Sequence, residues 1–386
     1  MNQIEYVKGV PSDYEAIVDL GNYVFSHEYT STDFPTLLPK VYGKDINTAK
    51  YHYLAKVDGK LVAMIGAIPC EMDIMGRHFK GCGIGTVCVH PYFRGLGLMK
   101  MLLNHAVADM KREGLAFGTL SGQRQRYEYF GFEPCGTSIN FSITSNNIRH
   151  CFRGKTFKKI SFAPLKLTDN TNICKSIDLQ QNLPLYFMRE PSNFYVTCCS
   201  WNSRPYVILL DNRYVGYMIC SNDKGSILEM ELSDTALLPD VIAAFFPWSG
   251  VNSIHFNLPP YDREKIKILE TFCDGLNVSS VHSFNIFDYE NMIRQLLLLK
   301  ASYTKLEDGR LVLEIENNIK LAIEVRSQKV SVEKTSEQAD ITLPHLKAMR
   351  FLFSPLSAFF NYAREYGKFV ASWFPLPLYI PRADDV

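Results

Sequence analysis

The chain has 386 residues, of which 47% are hydrophobic and 21% charged, enough apolar material for two or three packed domains. Its 41 lysines and arginines against 40 acidic residues leave a formal charge of +1, which excludes the broad basic surface that non-specific nucleic-acid binding requires. The first ten residues have no apolar core, no run is long enough to span a bilayer, and the 10 cysteines include no CxxC pair. A cytoplasmic protein with reduced thiols, no membrane partner and no zinc site is expected.

The predicted elements alternate along the chain. Residues 4–7 read as a short strand and 12–27 as a helix with Ser12 or Asp13 at its N-cap. The polar and aromatic stretch 28–45 reads as a mobile or helical flap. Residues 51–57 and 60–73 form a hairpin around Asp58-Gly59, a dipeptide suited to positive φ, and a further strand covers 78–89. Within 97–113, Met99, Leu102, Leu103, Ala106, Val107 and Met110 recur at helical spacing, so one face of a helix is buried, and Gly114 stands where that helix stops. Strands at 115–120 and 137–143 flank a short helix. Antiparallel strands followed by strand, helix and strand predict an α+β unit with a mixed sheet and one parallel crossover.

A second unit carries a hairpin, 206–210 and 214–220, turning at Asp211-Asn212-Arg213. A strand at 227–232 then leads to a helix from about Asp234, with Pro239 in an early turn where proline is tolerated. This segment echoes 87–103 without its glycines and reads as a degenerate repeat. A third unit has a helix at 289–300, strands at 310–315, 320–325 and 329–333, and a helix after Leu343. The boundaries fall at 1–146, 147–287 and 288–386, and no Gly/Ser-rich linker separates them, so the units are expected to pack together.

The chemistry concentrates in Val87-Cys88-Val89-His90-Pro91-Tyr92-Phe93-Arg94-Gly95-Leu96-Gly97-Leu98-Met99. This is a strand, a proline-broken turn, two glycines one residue apart and a helix start. Small residues let a ligand approach the backbone, and free N–H groups at a helix N-terminus attract phosphate, with Arg94 adding a fixed charge. Downstream lies Tyr127-Glu128-Tyr129-Phe130-Gly131-Phe132-Glu133. Cys88 sits between two valines with no histidine motif beside it, so a buried inert thiol is expected rather than a nucleophile. The nine histidines show no triad or metal-ligand pattern; His90 reads as a turn residue and His105 as an exposed helix residue.

Taken together, the Val87-x-Val89-x-Pro91-x-x-Arg94-Gly95-x-Gly97 segment and the Tyr127 motif resemble the GNAT superfamily of N-acetyltransferases, over about residues 4–143. The superfamily usually has Gly or Ala where this chain has Met99. Length and plan resemble the multidomain enhanced-intracellular-survival (Eis-like) acetyltransferases. That resemblance implies a mixed-sheet catalytic domain, a degenerate second GNAT-like domain, and a sterol-carrier-protein-like α/β third domain whose tail returns to the active site.

The same resemblance implies acetyl-coenzyme A as cofactor. Its pyrophosphate would be held by the backbone of Arg94, Gly95, Leu96, Gly97, Leu98 and Met99, and its pantetheine arm by the strand edge Val87, Cys88 and Val89. Tyr127 would be the acid that protonates the departing thiolate. It has the family spacing to Gly131, which Tyr129 lacks. The carboxylate of Val386 would be the base, and the acceptor an aminoglycoside, polyamine or lysine amine, in a homo-oligomer. Asp384 and Asp385 beside it would add negative charge that suits a protonated amine. Two other readings fit the motif: a non-catalytic acyl-coenzyme A or lipid-carrier module, and transfer of a longer acyl group.

Overall fold

Asp58 and Gly59 both take positive φ, 49° and 74°, and fold β2 (His52–Val57) against β3 (Lys60–Ile74). Met75 and Gly76 do the same between β3 and β4 (Arg77–Val89), the longest hairpin of the molecule. The computed structural model describes residues 3–28, 31–44 and 46–386. Tyr29, Thr30 and Asp45 of the expected flap lie outside the described residues; the rest of the flap contains two short helices, Phe34–Leu37 and Pro39–Tyr42. The helix expected at 12–27 runs Tyr14–Glu28 after a single 3-10 turn. Its cap differs from expectation: the Asp13 carboxylate accepts from Val10 N–H and pairs with Lys56 at 2.6 Å.

After β4 the chain enters the helix Leu98–Arg112 and returns in β5 (Phe117–Leu120), parallel to β4. Leu98, Leu102, Leu103, Ala106 and Met110 are buried on the helix face that meets the sheet, with Met99 and Val107 at its margin. Each buried leucine contributes roughly 1.5–3 kcal/mol, so this stripe, rather than helix propensity, holds the crossover in place. Gly114, at φ 70°, ends it. The expected mixed α+β sheet with one parallel crossover is present.

The first sheet has eight strands. Its main path begins with β1 (Ile4–Lys8) and runs β1, β2, β3, β4, β5, His282–Ile286, then β6 (Glu133–Cys135), while Leu185–Phe187 pairs with β3. The strand expected at 137–143 forms as Ser138–Thr144 but belongs to the second sheet, between Gly275–Ser279 and Ser253–Leu258. The two units therefore exchange strands. Phe141 and Ile143 are buried in the core of the second sheet, whereas Phe284 and Ile286 fill the core shared by the first and third sheets. Period-2 alternation states that one face of a strand is buried, not which core receives it.

The second sheet has seven strands and repeats the crossover: Ser226–Leu232 and Ser253–Leu258 are parallel neighbours joined by the helix Leu238–Ser249. At the start of that helical region the Asp234 side chain accepts from Ala236 N–H, so the segment uses its own acid where the first crossover has Gly97. The third sheet has four strands, Lys329–Lys334, Ile319–Arg326, Gly309–Ile315 and Ile341–Leu343, backed by the helices Tyr289–Tyr303 and His345–Phe353. Beyond Trp373 the tail is core rather than surface strap: Phe374, Leu376, Leu378 and Ile380 are buried. No helix among the described residues is long and apolar enough to cross a membrane.

Candidate active site

The parallel register between β4 and β5 runs from Gly81–Phe117 to Ile84–Leu120 and stops there. β4 continues to Val89 against β3 alone, pairing Cys88 with Met64 and Val89 with Ala63, so residues 85–89 carry an edge with no β5 partner. Such an edge presents backbone donors and acceptors to an extended ligand arm. The splay opens into a cavity of about 370 Å³. Gly85, Thr86 and Val87 line one side; Ser121, Gly122, Gln123, Arg126 and Tyr127 line the other.

Thr86 sits at a bulge in β4, with φ 49°. Its hydroxyl lies 2.7 Å from the Tyr42 hydroxyl, which lies 2.9 Å from His52 Nε2, and His52 Nδ1 lies 3.0 Å from the Thr48 carbonyl oxygen. Burial pulls the His52 imidazole down to about 4, so at neutral pH it is uncharged, with Nδ1–H donating to Thr48. This buried chain pins the bulge. Sequence reasoning missed it, because a single Thr, Tyr and His spread over 44 positions show no spacing signal.

At the far end of β4 the chain passes through one 3-10 turn, Pro91–Phe93, and the exposed residues Arg94, Gly95, Leu96 and Gly97. Gly95 and Gly97 have φ of 82° and 72°, and a Cβ on either would meet nothing within 4 Å. Gly97 caps the helix without a side chain, so no capping side chain occupies the first N–H groups. Leu98 is buried at 2% exposure, and Met99 packs against the same core. Gly-rich backbone, helix N-terminus and the unpaired edge of β4 fit a pyrophosphate with an extended arm.

Cys88 turns away from the cavity into the core beneath the first helix, and burial pushes its thiol up to about 12. It is no thiolate at neutral pH. Tyr127 and Tyr129 separate cleanly: Tyr127 is 7% exposed and lines the cavity, whereas Tyr129 is 83% exposed and does not. Gly122 makes room for the Tyr127 ring, since a Cβ there would lie 2.4 Å from Tyr127 Cε2. His90 stacks on Tyr23 at 5.2 Å, and His105 is exposed on its helix.

The chain ends in this cavity. Val386 packs on β4, where Cβ atoms built on Gly83 and Gly85 would lie 2.4 Å from its Cγ2 and 2.7 Å from its carboxyl carbon. Glycine at 85 leaves room for the Val386 backbone, and glycine at 83 for its side chain. Four groups far away in sequence hold it. Arg189, its side chain 1% exposed, grips Asp384 through Nε at 2.9 Å and Nη2 at 2.7 Å. The same guanidinium grips Glu229 at 2.8 and 2.6 Å, and Tyr217 donates to Glu229 at 2.5 Å. Lys40 Nζ donates to the Ala383 carbonyl at 2.6 Å, and Trp201 Nε1 to the Asp385 carbonyl at 2.8 Å. The Asp385 carboxylate lies 3.1 Å from His282 Nε2 and 2.6 Å from Arg382 Nη1. Burial raises that carboxyl, but His282, Arg382 and Lys40 outweigh it and hold it below the usual range.

One expectation is corrected here. Asp384 and Asp385 do not add negative charge to the cavity; they are consumed in ion pairs with Arg189 and Arg382 that fasten the tail, because isolated buried carboxylates are too costly. Val87, Tyr127 and Val386 come together on one cavity, while the 94–99 loop stands apart at the end of the splay. The clamp of Arg189, Lys40, Trp201 and His282 was invisible in the sequence.

Residues 5–135 match the family described as the acetyltransferase (GNAT) domain. This stretch is a GNAT acetyltransferase domain. Solved structures share the fold of nearly the whole chain. A probable N-acyltransferase of unknown function from Enterococcus faecalis V583 is 15% identical, with a TM-score of 0.68 over 97% of this chain and 96% of that one. A GCN5-related N-acetyltransferase from Anabaena variabilis is 14% identical, with a TM-score of 0.64 over 98% of each. Eis1 from Mycobacterium abscessus is 13% identical, with a TM-score of 0.61 over 90% of this chain and 88% of that one. At these identities the likeness is one of fold. No curated protein matches the chain. The GNAT domain thus sits within a fold shared with Eis1, in line with the resemblance in length and plan.

Proposed function

We propose that the protein is an acetyl-coenzyme A-dependent N-acetyltransferase acting on a primary amine. The observation that carries this reading is the meeting of Tyr127 and the terminal carboxyl of Val386 on one cavity, at the splay between β4 and β5. Arg94 and the backbone of 95–99 hold the pyrophosphate, and the edge of Val87 to Val89 holds the pantetheine arm. Acetyl-coenzyme A supplies the activated acyl carbonyl and leaves as the thiol.

The chain's own residues bind, orient and move protons. The Val386 carboxylate attracts the ammonium and takes its proton, directly or through a water. The resulting amine nitrogen bonds to the acyl carbon as the carbon–sulfur bond breaks, with a backbone N–H near Val89 facing the carbonyl oxygen. The Tyr127 hydroxyl gives a proton to the departing sulfur, a contribution of roughly 10²–10⁴-fold for a well-placed acid, and the proton shed by the new amide nitrogen restores it, directly or through a water. In this reading 147–287 is a degenerate GNAT-like unit and 288–386 a sterol-carrier-protein-like unit whose tail delivers the base. The protein acts in the cytoplasm as a homo-oligomer.

Thiol release from acetyl-coenzyme A in the presence of amines tests the reaction. Deleting residues 384–386, or appending a few residues after Val386, is expected to depress transfer while leaving coenzyme A affinity intact. Turnover within twofold of the parent for both changes removes Val386 from the mechanism.

A further inference from the structure

The cavity has an uneven chemistry. One wall is apolar or aromatic, with Val24, Phe25, Phe34 and Trp201, and the uncharged polar side chains of Thr32 and Gln123 also line the cavity. Among the described residues that line it there is no Asp or Glu side chain, and the carboxylate at its base is that of Val386. The cation lining it is Arg126, which is exposed. The two acids that precede Val386 are turned away into the Arg189, His282 and Arg382 pairs.

From this charge count we infer, resting on the acetyltransferase reading, that the acceptor is a compact monoamine with an apolar or aromatic body, an arylalkylamine type, rather than a polycation. One carboxylate neutralises one ammonium. A second ammonium in the same space would find no acidic side chain among the described residues lining the cavity and would face the Arg126 guanidinium. Polycations instead need several acids in reach. The volume points the same way: about 370 Å³ lies near the lower end of the roughly 300–1,000 Å³ of small-molecule sites, suited to a single-ring amine rather than a multi-ring aminosugar. Phe25 and Trp201 line the cavity and can meet an aromatic ring, while the amine end meets Val386.

The experiment compares 2-phenylethylamine, spermidine and a deoxystreptamine aminoglycoside as acceptors for the full-length protein, with kcat/KM from thiol release. Binding of the same amines to the coenzyme A-loaded protein is measured in parallel by calorimetry. Phenylethylamine is expected to lead spermidine by at least about tenfold, since each misplaced charge costs on the order of one decade. Arg126→Glu and Leu37→Asp each add the missing acid and are expected to shift the ratio toward spermidine by a similar factor; Arg126 is exposed, so its replacement does not threaten folding. Spermidine or the aminoglycoside leading in the parent overturns the inference while the acetyltransferase reading stands. No thiol release with any amine, but tighter calorimetric binding of phenylethylamine than of spermidine, overturns the transfer reading and supports the specificity.

Discussion

Replacing Arg189 by methionine isolates the clamp that holds the chain terminus. The guanidinium makes two bonds to Glu229 and two to Asp384, and all three side chains are at most 8% exposed. Removing it leaves two buried carboxylates facing each other, and breaking a buried pair in this way costs about 3–5 kcal/mol. Burial, no longer offset by Arg189, then lifts the Glu229 carboxyl above its unfolded value. The folded state binds more protons than the unfolded one across that window, so the variant loses stability as pH rises through neutrality. Asp384 lies two residues before Val386, so release of the clamp also frees the terminal carboxylate from the cavity. Denaturant unfolding at pH 5 and pH 8, together with acetylation kinetics, reads both effects. Adding Glu229→Gln and Asp384→Asn to Arg189→Met is expected to recover most of the stability, because uncharged groups carry a smaller burial cost, but not the activity. A loss below about 1 kcal/mol for Arg189→Met, with turnover unchanged, refutes the reasoning.

Gly97→Asp puts a carboxylate at a helix start in αL geometry and is expected to weaken coenzyme A binding at least about tenfold by calorimetry, since like charge faces the phosphates. Tyr127→Phe removes only a hydroxyl; it is expected to fold and bind coenzyme A normally while turnover falls by roughly 10²–10⁴-fold, read from single-turnover kinetics. His52→Gln tests the buried chain at the β4 bulge. In the parent, unfolded His52 takes its proton near 6.5 and folded His52 only near 4, so the unfolded state binds more protons between those values. Parent stability therefore falls on acidification across that window by an amount on the order of 3 kcal/mol. The variant should lose that part of the slope in urea titrations at pH 4.5 and 7.

Much of the catalytic unit was legible because local physics repeats there. The Asp58-Gly59 turn, the apolar stripe of the helix Leu98–Arg112 and its Gly114 stop each follow from neighbours within a few residues. The Gly95 and Gly97 pair announced an open helix N-terminus, and the spacing from Tyr127 to Gly131 selected Tyr127 over Tyr129. Tyr127 is buried at the cavity, and Tyr129 is exposed away from it.

What required the tertiary structure is everything that joins distant segments. Ser138–Thr144 and His282–Ile286 have the alternation of strands, but their exchange between sheets depends on which core has room for Phe141, Ile143, Phe284 and Ile286. Asp384 and Asp385 read as charges waiting for a substrate, and only their contacts with Arg189, His282 and Arg382 turned them into anchors. A sequence prescribes periodicity, turns and caps through interactions a few residues long. The partner of a buried charge is fixed by the packing of the whole chain, across the 195 positions between Arg189 and Asp384, and that distance carries no local signal.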